Sequence, residues 1–175
     1  MRSKRSDTSV AKAIAMFALS GMVALVVVGV VGGMVLRDLG RNQATREAEH
    51  ITEVTGKELV EPRLKNGVLR GDSISLLQLE SVVTGVLRDP IVRVKIWDTN
   101  GHILYSDVPE LIDSTYALDA DTRRAMNGND ISVRPVDLSL PQNRFEREMG
   151  DLLQVTLPLE TPNHERVIFQ AFLRS

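Results

Sequence analysis

Ala13 to Leu36, AIAMFALSGMVALVVVGVVGGMVL, is a run of 24 residues with no charged side chain. A helix needs about 20 apolar residues to cross the hydrocarbon core of a bilayer, so this run spans it with some tilt. A cleavable signal peptide has an apolar core of about 7–15 residues, followed by a small-x-small cleavage site. This run is longer, and no convincing Ala-x-Ala stands before Arg37. A domain this small can hardly cover a helix that is apolar all round, which disfavours a soluble buried helix. The expectation is an uncleaved signal anchor.

The flanks give its orientation. Arg2, Lys4, Arg5 and Lys12 precede the span against a single Asp7, whereas Arg37, Arg41 and Arg46 after it are matched by Asp38, Glu47 and Glu49. An excess of Lys and Arg stays on the cytoplasmic side. The N-terminus is therefore expected inside and everything beyond Leu36 outside, as a single-pass protein of the cell membrane in this chain.

Of 175 residues, about 140 remain after the anchor, enough for one domain with its own core. Outside the tail and span, 17 basic residues stand against 22 acidic ones, a net charge of −5. That balance gives no support for nucleic-acid binding, which needs a clustered basic face. There are no cysteines, which removes thiolate metal sites and Cys nucleophiles and leaves the core to hold the fold.

Residues 1–12 read as a basic cytoplasmic tail, disordered and near anionic headgroups, and residues 13–36 as the transmembrane helix. Within the span, Gly29 and Gly33 form a G-x-x-x-G pair of the kind that lets two membrane helices approach closely. Residues 37–62 read as a long juxtamembrane helix: Leu39, Ala44, Ala48, Ile51, Val54 and Leu59 recur at helical spacing, and Pro62 and Asn66-Gly67 end it.

The remainder, residues 63–175, reads as an α+β domain. Asp72-Ser73 caps a second helix over 74–88, with Leu76, Leu77, Leu79, Val82, Val83, Val86 and Leu87 as its core face and Asp89-Pro90 as its stop. From Ile91 the period changes to two. Val92, Val94 and Ile96 fall on one face, and Arg93, Lys95 and Trp97 on the other. Asp98–Gly101 is a hairpin turn into a partner strand at 102–106. A loop over 109–118, a short helix at 120–126 capped by Asp119, and strands at 131–138, 152–159 and 166–172 follow. Two helices on an antiparallel sheet of about five strands is the architecture expected.

The stretch from Val92 to Asp107, VRVKIWDTNGHILYSD, resembles the first hairpin of extracytoplasmic PAS-like (Cache-type) domains. The resemblance is closest to the sensor regions of actinobacterial two-component histidine kinases. Pro109–Ile112, Leu118–Asp121, Asp137–Arg144 and the closing strands at 152–159 and 167–172 are similar as well. It implies a receptor, usually a homodimer, whose outer domain signals through membrane helices to a cytoplasmic kinase and its response regulator. The chain departs from that pattern by stopping at Ser175, where a second membrane helix would begin, with no phosphoacceptor His box and no ATP-binding segment. A fragment or truncated gene is one reading. A stand-alone membrane-anchored adaptor or envelope structural protein is the other.

An enzyme is not expected. The chain has no G-x-S-x-G, no H-E-x-x-H, no phosphate-cradling loop and no Ca²⁺ loop. His50, His102 and His164 lie far apart and read as solvent-exposed, so neither a metal nor a cofactor is called for. The sharper hypothesis is binding. Arg93 and Lys95 offer charge-assisted hydrogen bonds to a small anion such as a carboxylate, while Trp97 and Tyr105 supply an apolar wall. Tyr116 and Arg134 are weaker additions. An envelope protein is the alternative partner.

Overall fold

The computed structural model describes residues 6–128 and 130–174, with side chains at 16–34 and from Gln43 onward. Residues 1–5 of the expected basic tail, and the side chains of Arg37, Leu39 and Arg41, lie outside the described residues. From Ser6 on, the tail expected to be disordered is instead the first part of the membrane helix, whose backbone hydrogen bonds extend back through it. The chain divides into two compact units, Met1–Gln43 and Ala44–Ser175.

Helix α1 comprises Ser6–Val54. Its segment Met16–Met34 is long and apolar enough to cross a membrane, and is the one such segment among the described residues. Its side chains have no protein cover, with Phe17 82% and Leu25 75% exposed. A continuous apolar surface of this kind marks contact with lipid or with another apolar partner. A Cβ added at Gly29 or Gly33 would meet nothing within 4 Å, so both leave open space on the helix surface.

In the second unit, the buried stripe at the end of α1 falls on Ala48, Thr52, Gly56 and Val60, every fourth residue. An α-helix turns about 100° per residue, so positions four apart drift about 40° around its axis. The chain offsets that drift by widening into a π-helical turn at Thr55–Val60, which brings Gly56 and Val60 back to the inner face. Val54 and Leu59, expected in the apolar stripe, fall between its members and are exposed. Pro62 then stands in a 3₁₀ turn, Glu61–Arg63.

Helix α2, Ser73–Val86, is capped as expected: the Asp72 carboxylate accepts from the Ser75 N–H at 2.9 Å and the Ser75 hydroxyl at 2.6 Å. Leu79, Val83 and Val86 are its buried face, whereas Leu77, expected in the core, and Ile74 stand exposed on the outer turns.

Strands β1 (Ile91–Trp97), β2 (Ile103–Ser106), β3 (Ser132–Pro135), β4 (Leu152–Glu160) and β5 (Arg166–Arg174) form one antiparallel sheet in the order β2-β1-β5-β4-β3. This is the α+β architecture that the change of period at Ile91 indicates. Gly101 takes φ 84° in the β1–β2 turn, which Asp98 holds by accepting from the N–H groups of Asn100 and His102. Helix α3, Ala120–Gly128, is capped by Asp119, which accepts from the Thr122 N–H at 2.9 Å.

β5 is buried from Val167 to Leu173, so both faces of the sheet are covered. On one face Val94, Ile96, Leu157, Phe169 and Ala171 pack with α2 and the end of α1. On the other, Trp97 and Ile168 pack with Ala125 and Met126 of α3. The β1–β5 register shifts between Ile91 and Arg93, which puts Ile91 in the helix-side core and leaves Val92, expected there, only half-buried.

Candidate functional site

The face of the sheet away from α2 carries a row that alternation along β1 and β5 dictates: the polar Arg93 and Lys95 on β1, paired with Phe172 and the polar Gln170 on β5. The 3₁₀ segment Pro141–Glu146 lies over that row. Lys95 is wholly buried, and its three ammonium donors are all taken. Nζ donates to the Gln142 carbonyl at 2.7 Å, to Asn143 Oδ1 at 3.0 Å and to Glu146 Oε2 at 3.1 Å. The Phe172 ring closes the last side, its centroid 4.4 Å from Nζ.

Arg93 completes the arrangement. Its Nε is 3.0 Å from Glu146 Oε1, and its Nη1 is 2.8 Å from Asp107 Oδ2. The other Asp107 oxygen accepts from the Val94 N–H at 2.8 Å, which ties the start of β1 to the end of β2. Two cations thus face two carboxylates, all at most 12% exposed. Arg93 Nε and Glu146 Oε1 are buried and close, yet no N–H points along the line between them; the contact is charge pairing rather than a hydrogen bond. Burial pushes the Lys95 ammonium down from 10.5 to about 8, with Glu146 pulling the other way.

Beside this cluster Trp97, Thr122, Gln142 and Gln170 line a chamber of about 10 Å³, room for one water molecule. Gln170 donates to the Thr122 hydroxyl at 3.2 Å, while the buried Trp97 indole N–H has no protein partner. Such an orphaned donor is costly unless something occupies the chamber.

Of the residues singled out from the sequence, Arg93, Lys95 and Trp97 share this face as the alternation predicts. They form no open wall: Lys95 and Trp97 are buried, and the anion facing the two cations is the chain's own Glu146. Tyr105 is placed differently from expectation. It pairs with Ile96 across β1 and β2, and cross-strand partners share a face, so it lies on the helix side. There it lines an open groove of about 510 Å³ with Leu76, Leu77, Leu87 and Leu104. Burial, reinforced by Glu80 and Asp107, raises its phenol to about 12.

Tyr116 touches the site edgewise. Its ring meets Trp97 at 6.2 Å between centroids, and its hydroxyl accepts from Arg144 at 2.8 Å. Arg134 lies elsewhere and clasps β3 to the start of α3 through Asp119 at 2.6 Å and Asp121 at 3.1 Å. His50 and His164 are exposed, and His102 stands 3.5 Å from Asp113. Among the described residues no cluster of three acidic or His side chains is spaced to hold a metal ion.

Sequence reasoning missed Glu146, Gln142, Asn143 and Asp107. Phe145-Glu146 gives no periodic signal inside a polar connection, and nothing local links it to a lysine 51 residues earlier. The one available signal was physical: a lysine between Val94 and Ile96 needs a partner if both faces of the strand are covered.

No family model matches the chain, and no curated protein matches it. Among solved structures, the sensor domain of Escherichia coli DcuS is similar, with a TM-score of 0.52 and 15% identity over 74% of this chain and 90% of that chain. The fold therefore resembles that of a sensor domain, with a candidate membrane helix near the N-terminus.

Proposed function

We propose that this chain is the anchor and extracytoplasmic sensor domain of a signal-transduction receptor, a histidine kinase in the full-length protein. The carrying observation is the pairing of an uncovered apolar helix at Met16–Met34 with a sheet domain similar to the DcuS sensor domain. Residues 1–12 stay in the cytoplasm and residues 63–175 act outside it. The domain itself performs no catalysis; it converts occupancy of the Arg93–Lys95 face, by a small anion or by an envelope protein, into movement of its first helix. The receptor works as a homodimer, with the helix over 37–59 shifting against its mate and Gly29 and Gly33 at the contact within the membrane. A response regulator takes the signal from the kinase.

The absence of native cysteines makes the topology directly testable. Single cysteines replace Ser9 and Asn163, and intact cells are treated with a membrane-impermeant maleimide. Asn163→Cys should label in intact cells, and Ser9→Cys only after lysis. The reverse pattern would sink the orientation, and equal labelling of both in intact cells would sink the anchor. Single cysteines along 37–60 should cross-link with helical periodicity if the dimer forms through this helix.

A further inference from the structure

We propose that Glu146 is a built-in occupant of an anion site, and that a carboxylate ligand takes its place by lifting the segment Pro141–Glu146 from the sheet. The inference rests on the sensor reading above and specifies how the site is regulated.

The two halves of the contact differ in rigidity. Arg93 and Lys95 project from β1, which is paired on both sides by β2 and β5. Their anion comes from a short 3₁₀ segment with a break in its helical backbone at Asn143 (φ −103°, ψ 18°). Besides its ties to Lys95 and Arg93, the segment is held by Asn143 Nδ2, which donates to the Asp137 carbonyl at 2.9 Å, and by the half-buried Phe145. At exposed positions it is held by Arg144 on Tyr116 and the adjoining Arg147 on the Leu138 carbonyl at 3.1 Å. Solvent competes for the two exposed contacts, so the buried hold on the segment is its cluster with Arg93 and Lys95, one part-buried hydrogen bond and one ring.

The internal fit is complete in charge and incomplete in hydrogen bonds. Glu146 divides its two oxygens between two cations, but the one facing Arg93 accepts no hydrogen bond, and Arg93 Nε donates none. A free carboxylate can turn to meet the guanidinium in its plane, which a side chain tethered to the covering segment does not achieve. Exchanging one carboxylate for another leaves the charge of the buried cluster unchanged, so no uncompensated ion arises once the exchange is complete. The neighbouring chamber has room for only one water, so anything larger must displace part of its lining, to which the segment contributes Gln142. Because Glu146 belongs to the segment, a ligand that takes its place displaces the segment as it enters.

The chain contains a single tryptophan, Trp97, in the wall of that chamber. Its fluorescence in the full chain, held in detergent micelles, reads the site directly. Acetate is the probe and acetamide its uncharged control. Wild-type protein should give a saturable response to acetate and none to acetamide. Glu146→Ala should bind acetate about ten-fold tighter or more, because an internal competitor lowers apparent affinity by the fraction of time the site is closed. Glu146→Gln, which keeps an oxygen for Lys95 and drops the charge, should shift in the same direction and serves if the alanine variant does not fold. Equal or weaker acetate binding in the variants overturns the proposal, as does an equal response to acetamide or no saturable response in any of the proteins. This readout involves no signalling, so its failure leaves the topology test of the sensor reading standing, and the converse holds.

Discussion

Lys95 Nζ and Glu146 Oε2 lie 3.1 Å apart with both side chains wholly buried, one on the interior strand β1 and the other on the segment that covers it. Glu146 also faces Arg93, so the two partners of this pair are not equivalent.

Glu146→Leu leaves two cations without their shared anion and should cost about 3–5 kcal/mol. Lys95→Met leaves Glu146 still paired with Arg93 and should cost less. Urea unfolding of the two variants measures the order. The double variant should recover part of the loss, because an apolar pair of similar volume often replaces a buried ion pair without penalty. A double variant as unstable as the sum of the singles would contradict it.

The Lys95 pKa, lowered from 10.5 to about 8, sets a pH dependence whose sign is fixed. Between those values the unfolded chain binds more protons at this lysine than the folded one, so its contribution to stability rises with pH. Tyr105 acts in the opposite direction above pH 10, because its phenol, raised to about 12, keeps its proton in the folded state. Wild type should therefore gain stability relative to Lys95→Met between pH 8 and 10. Parallel stability curves for the two proteins over that window would refute the assignment.

A Cβ at Gly56 would run into Cδ2 of the buried Leu157 side chain. Gly56→Ala should therefore destabilise by about 1–3 kcal/mol through overpacking, although alanine is the better helix former. Adding Leu157→Ala should relieve the clash, so the double variant loses less than the sum of the two single changes. A neutral or stabilising Gly56→Ala would show that the π turn does not approach β4 as described.

Within the membrane segment, Gly29 and Gly33 have open space around them, so isoleucine at either position clashes with nothing in the single chain. Gly33→Ile should reduce cross-linking between copies in membranes while leaving the amount of inserted protein unchanged. Unaltered cross-linking would remove the G-x-x-x-G pair from the dimer contact.

The elements marked by a change of period were legible in the sequence. Val94 and Ile96 against Lys95 and Trp97 announce β1, Asp72 announces the start of α2, and the uncharged run announces the membrane segment. Three features were not legible. The π turn brings Gly56 up against Leu157, a residue 101 positions away in sequence, and no local pattern marks that approach. The register shift at Val92 exchanges which residue joins the core, and strand alternation alone contains no sign of it. The anion opposite Arg93 and Lys95 comes from a connection without periodicity, so the two cations read as an open binding wall when they are an occupied one.

The most direct measurement joins residues 1–175 to the second membrane helix and kinase core of an established sensor kinase, and follows autophosphorylation in membranes. Wild type and Glu146→Gln should give clearly different kinase output at equal expression, because the variant removes the charge that pairs the covering segment with Arg93 and Lys95. Identical output from both, with the domain folded and outside the membrane, would contradict the claim that this face carries the signal.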